Sequence, residues 1–256
     1  MRDVSVYTAA NRLGWNMIAA DRGAKPAQFF LDGGSTLDDF ETDYLPDLRG
    51  RTLLHLACAN GNDSLSLAAL GARVTGVDIS PVGVQIAQAT AAEAQLEARF
   101  LAADIYDLPA DLGQFDVAYM SWGGICWMPD LQWWAEIVAE HLRPGGTFGL
   151  FEHHPIWEIL AVRDGGIALA GDYFGRAPHS RQPADPAKRA AGWRPDADVL
   201  LTSFVWPVSR VVTALIQAGL SIGTFSEGGL ASMYAGLDGD PTWLPAYYVI
   251  IASKPA

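Results

Sequence analysis

Glu152, His153 and His154 follow an apolar run, Thr147 to Phe151, and precede Pro155. A neutral imidazole takes up a proton near neutral pH, and a carboxylate beside it can orient the ring. The chemistry within reach is removal of a proton from a hydroxyl or an ammonium. His154, beside the proline, is the first choice of base, and Glu152 is the group to orient it. His153 points the other way if the strand continues, because side chains alternate along a strand. Two more acids, Asp78 and Asp104, each close a short apolar run, 73–77 and 99–103. Five aromatic residues, Trp122, Trp127, Trp157, Tyr173 and Trp206, lie in the segments after the later strands and can wall a pocket.

The stretch that must position these groups is 51–80, RTLLHLACANGNDSLSLAALGARVTGVDIS. Its apolar run from Thr52 to Ala57 reads as a strand buried on both faces of a parallel sheet. Small residues recur at Ala57, Ala59 and Gly61, a turn whose backbone can approach a ligand closely. A helix predicted from about Ser64 to Leu70 directs its N-terminus back at that turn. A second strand, Arg73 to Val77, then ends on Asp78, placed to accept hydrogen bonds from ribose hydroxyls. The pattern is that of a nucleoside-binding βαβ unit. Its spacing is not the G-x-G-x-x-G of a dinucleotide site, which disfavours an NAD-dependent oxidoreductase.

The string LLHLACANGNDSLSLAALGARVTGVDIS resembles motif I of the class I S-adenosylmethionine-dependent methyltransferases, in a small-molecule subgroup whose first strand reads Leu-His-Leu. His55 stands where the wider family has an acid, and Ala57 and Ala59 stand where it has glycines. The resemblance implies a cofactor site built from His55, Ala57, Ala59, Gly61 and Asp78. It also implies that Ile79 covers the adenine ring and that Asp104 and the Ile105 backbone meet its amino edge. Ser121, the last residue of the fourth strand FDVAYMS, is counted with them, as is Tyr7 in an N-terminal segment that caps the cofactor in the subgroup. The implied cofactor is S-adenosyl-L-methionine, leaving as S-adenosyl-L-homocysteine, with no metal. The five aromatics would then form a box whose ring faces favour the sulfonium or a cationic acceptor. The sequence departs from the subgroup at Trp206-Pro207-Val208-Ser209, where a His often follows the Trp.

The implied fold is α/β, a doubly wound, seven-stranded, mostly parallel Rossmann-like sheet with an antiparallel last strand. Residues 1–256 are expected to form one domain, with 1–50 as a helical cap and 156–200 as a substrate lid holding the basic, Pro-rich tract 176–189. Ser80 is the predicted N-cap of a helix with Pro81 in its first turn and a buried face at 82, 86, 89 and 96. Asp130 is the predicted cap of a helix that Pro144-Gly145-Gly146 stops. A helix over 207–218 and strands over 220–226 and 246–253 complete the pattern.

A formal net charge of −12 argues against nucleic-acid binding, which depends on Lys and Arg releasing counterions from phosphates. No apolar run approaches a membrane span and no leader is evident, so a soluble, cytoplasmic protein is expected. Cys58 and Cys126 form neither a disulfide framework nor a metal cluster. The expected partner is a small-molecule acceptor, and the oligomeric state, a homodimer included, stays open. The reading is methyl transfer to an oxygen or nitrogen of a small molecule, of the kind met in secondary metabolism. The alternatives are an S-adenosylmethionine-binding protein that runs a non-methylating reaction, and a dinucleotide oxidoreductase.

Overall fold

The computed structural model describes residues 3–175, 179–181 and 201–256, so the tract 176–189 lies mostly outside the described residues. Its centre is a seven-stranded sheet in the order β10-β11-β5-β4-β1-β2-β3. The strands are β1 (Thr52–Leu56), β2 (Arg73–Asp78), β3 (Ala98–Ala102), β4 (Phe115–Ser121), β5 (Leu142–His153), β10 (Ser221–Gly228) and β11 (Tyr247–Ser253). Strand β11 is antiparallel to both of its neighbours, β5 and β10, and the other pairs are parallel. Strand order reverses between β1 and β4. In an open α/β sheet, ligands bind outside the carboxyl ends of the strands at such a switch point.

The inner strands of the sheet are covered on both faces, so they read as continuous apolar runs. In β1, Leu54 and Leu56 join a core under the helices α6 (Leu131–His141) and α8 (Val208–Gln217). Leu53 faces the other way, with Leu67 and Ala68 of α4 (Asn62–Ala69). Helix α5 (Pro81–Ala94) starts as expected, its Ser80 hydroxyl accepting from Gly83 N. Its buried face, however, is Gly83, Val84, Ala87, Ala91 and Ala94, not 82, 86, 89 and 96. In an alanine-rich helix almost every residue is small enough to be buried, and close packing against α1 (Ser5–Arg22) and α2 (Ala27–Leu31) selects the smallest side.

Helix α6 ends at His141, three residues before the Pro-Gly-Gly expected to stop it. The Lys254 ammonium donates to the carbonyls of Ala139 and Leu142 at 2.8 and 2.9 Å, so a cation just past the last strand closes that terminus. The segment after β5 is not without structure. It holds α7 (Pro155–Ile159) and a hairpin of β6 (Leu160–Arg163) and β7 (Gly166–Leu169). Strand β8 (His179–Arg181) pairs with β9 (Leu201–Ser203). Among the described residues no helix is long and apolar enough to cross a membrane.

Gly61 opens α4 at φ +79°, and a Cβ there would stand 2.6 Å from Ala87 Cβ and 3.0 Å from the Phe100 ring. Gly61→Ala therefore meets two costs, overpacking and a left-handed backbone, together about 2–4 kcal/mol. The expected outcome is a lower midpoint in urea unfolding, and an unchanged midpoint would show that helix α5 is not seated this closely.

Candidate functional site

The turn after β1 carries the strain of the site. Ala57 and Ala59 both take positive φ, 58° and 49°, where alanine is disfavoured. Asp78 fixes the turn, its Oδ2 accepting from Ala59 N and its Oδ1 from Ser80 N, each at 2.8 Å. The carboxylate is buried, and burial raises its pKa against the opposing pull of those two N–H groups. Each oxygen keeps a lone pair free of these bonds.

Asp78 lines a cleft of about 700 Å³, solvent included, at the switch point of the sheet. Ala57, Ala59, Ile79, Asp104, Ile105 and Ser121 of the expected cofactor residues line it too, together with Trp122 and Trp127. Asp104 Oδ1 accepts from Tyr106 N, and the Ser121 hydroxyl donates to Asp63 at 3.0 Å.

Three expected cofactor residues lie elsewhere. His55 is 2% exposed, its Nδ1 at 2.8 Å from the Ser64 hydroxyl, and burial pushes its imidazole down to about 3. It pins β1 to the first turn of α4 rather than facing the cleft. Gly61 serves the packing of α4 on α5. The Tyr7 ring packs edge-on against Phe204 at 5.3 Å. The same helix, α1, instead presents Thr8, Asn11, Trp15 and Arg22 to the cleft, with Trp15 edge-on to Trp127 at 5.2 Å. Their spacing, near one helical turn or two, is the sequence signal that places them on one face of the helix.

The chemistry-bearing trio at the end of β5 is arranged differently from expectation. Strand pairing continues through His153, opposite Tyr247, and His154 N donates to Ala246 O. His154 is then the N-cap of α7. Its Nδ1 accepts from Ile156 N at 3.1 Å, which leaves Nε2 to donate to Glu227 Oε1 at 2.9 Å. With both nitrogens occupied and its ring 5% exposed, His154 stands outside the cleft. Burial lowers its pKa, and Glu227 partly opposes that.

Glu152 does not orient His154 either. Its carboxylate accepts from the backbone N–H groups of Gly123, Ile125 (2.7 Å) and His153 (2.7 Å). It thereby holds the loop after β4, in which Trp122 is kept at φ 34°. Burial pushes Glu152 up to about 7 despite those three donors. His153 lies on the opposite side of the strand, half-buried, with its ring 5.3 Å from Trp122 and 4.9 Å from Trp157. A Cβ built on Gly123 would stand 3.5 Å from His153 Nδ1, so the imidazole lies over a loop residue of the cleft wall.

The five aromatics do not form one box. Trp122 and Trp127 line the cleft. Trp206 borders a second, smaller cavity, with its indole N–H on Met128 O. Trp157 donates to Met233 O and lies tilted against His153, while Tyr173 packs on Phe174. Among the described residues, no group of three or more His, Cys, Asp or Glu is placed to hold a metal ion.

Residues 53–146 match a family model described as a methyltransferase domain. An uncharacterised protein of Mycobacterium tuberculosis is 36% identical over 172 residues, which are 67% of this chain and 54% of that protein. A second uncharacterised protein of the same organism is also 36% identical, over 107 residues, and there the match covers 39% of its length. The match therefore spans about half or less of these mycobacterial relatives. The ubiquinone biosynthesis O-methyltransferase of a Methylobacterium species is 33% identical over 101 residues, 40% of each chain. Among solved structures, the S-adenosylmethionine-dependent methyltransferase of Mesorhizobium loti superposes with a TM-score of 0.62 at 22% identity. That superposition covers 88% of this chain and 100% of the other, a likeness of fold.

Proposed function

We propose that the chain, whose residues 53–146 match a methyltransferase-domain model, is a class I S-adenosylmethionine-dependent methyltransferase and transfers a methyl group to an oxygen or nitrogen of a small-molecule acceptor in the cytoplasm. The observation that carries this reading is the Asp78 carboxylate. It is fixed by Ala59 and Ser80 N–H groups at the C-terminal end of β2 and borders a cleft of about 700 Å³. The residues present fit the donor: an acid for ribose hydroxyls, a turn of small residues beside it, and Ile79 and Ile105 as apolar cover for a base.

S-adenosylmethionine, when bound, supplies a methyl group already activated on a sulfonium, so the protein's main task is positioning, worth about 7–11 kcal/mol at best. Asp78 would accept from the ribose of the bound donor, and Asp104 and Ile105 would flank its adenine. Trp15, Trp122 and Trp127 exclude water and offer ring faces to positive charge. His153 borders the second cavity on the far side of Gly123, a residue both cavities share, and takes the acceptor's proton from there. Glu152 acts through the Trp122–Ile125 loop as a positioning residue.

S-adenosylhomocysteine is expected to raise the melting temperature in a concentration-dependent way, and NAD to leave it unchanged, because only a ligand of the native state stabilises it. Stabilisation by NAD without any by S-adenosylhomocysteine would overturn the reading. With the donor bound, release of S-adenosylhomocysteine across a panel of hydroxyl and amine acceptors separates transfer from a non-methylating role.

A further inference from the structure

Behind the loop Trp122–Ile125 lies the second cavity, about 290 Å³ with its solvent, and it shares Gly123 with the cleft. Its polar lining comes from Glu152, His153, Glu158 and Tyr248. Tyr248 is 1% exposed, yet its hydroxyl has no hydrogen-bond partner among the described residues. A buried hydroxyl left unmatched costs about 1–3 kcal/mol, so a group with no protein partner in a cavity of this kind is one a ligand can satisfy. Burial, and then the neighbouring Glu152 and Cys126, hold that hydroxyl protonated far above neutral pH.

The chemistry of this lining selects the ligand. Two carboxylates and a hydroxyl accept hydrogen bonds, and among the described residues the lining includes neither Lys nor Arg. An anion entering it would be repelled by Glu158, and a neutral hydroxyl would offer one donor where several acceptors converge. An ammonium brings three donors and the opposite charge. The enclosed space admits a small polar head group rather than a ring or a whole substrate.

We infer that this cavity is the seat of the acceptor's amino group, so that the acceptor is an amine-bearing small molecule held by Tyr248, Glu158 and Glu152. The assignment rests on the reading of the neighbouring cleft as the donor site, and it narrows the acceptor class that this reading leaves open.

The test uses the full chain saturated with S-adenosylhomocysteine and three probes of one shape, 2-phenylethylamine, 2-phenylethanol and 3-phenylpropanoate, titrated by calorimetry. The amine is expected to bind at least about tenfold more tightly than the alcohol, and the acid least of all. Tyr248→Phe and Glu158→Gln should each weaken the amine about tenfold while leaving S-adenosylhomocysteine affinity within about twofold. Tyr248→Phe removes an unmatched hydroxyl and keeps the ring, so it should melt no lower than the parent. The inference falls if the alcohol or the acid equals the amine, or if neither variant changes amine affinity. Should the parent bind the amine with this dependence but not S-adenosylhomocysteine, the cavity assignment stands and the donor reading falls.

Discussion

Asp78→Ala is expected to lower the affinity for S-adenosylhomocysteine by about 10²–10⁴-fold. Hydrogen bonds to a charged acceptor are each worth about 1.5–3 kcal/mol, and the cofactor's ribose offers two hydroxyls. The same substitution strips Ala59 N and Ser80 N of their acceptor. The strained turn at Ala57 and Ala59 could then relax, which would also weaken binding. Asp78→Asn separates the two effects: its amide oxygen keeps one backbone bond and the shape of the side chain, but not the charge. If the Asn variant melts like the parent and still binds at least tenfold more weakly, the loss belongs to the ligand contact. A calorimetric affinity within about threefold of the parent in both variants would show that Asp78 holds the turn and nothing else.

What could be read in the chain follows from which physical signals are local. The first two strands and the acid that ends the second were legible because a doubly covered strand is a short apolar run with abrupt polar ends, as in Thr52–Leu56 and Arg73–Asp78. Caps were legible for the same reason, since Ser80 and Asp130 accept from backbone groups three residues on. The buried face of α5 was not, because alanine carries little hydropathic contrast. Site residues that depend on a partner from another element were also hidden. Nothing in Glu152-His153-His154 announces that Glu152 will meet Gly123 and Ile125, or that Glu227, 73 residues on, will take the His154 proton donor. The orphan hydroxyl of Tyr248 likewise exists only once β11 is seated between β5 and β10.

The choice between the two histidines turns on where β5 ends, and it sets the last expected result. Ending the strand at Phe151 leaves His154 to face the site. The observed ladder runs on to His153 opposite Tyr247, which sets Glu152 and His153 on opposite faces of the strand, while His154 lies past the ladder as the cap of α7. His153→Ala should therefore fold and bind S-adenosylhomocysteine normally while kcat falls by about 10²–10⁴-fold, the usual contribution of a positioned base. The rate–pH profile should lose its ascending limb, which a residue that merely fills space would not carry. His154→Ala should behave in the opposite way. It removes the cap of α7 and the bond to Glu227, together about 1–3 kcal/mol of stability, so the melting temperature drops while the turnover of the folded fraction stays near that of the parent. If His154→Ala instead abolishes turnover without lowering the melting temperature, and His153→Ala keeps the parental pH profile, then the proton leaves through His154 after rearrangement of α7, and His153 is only a ring packed between Trp122 and Trp157.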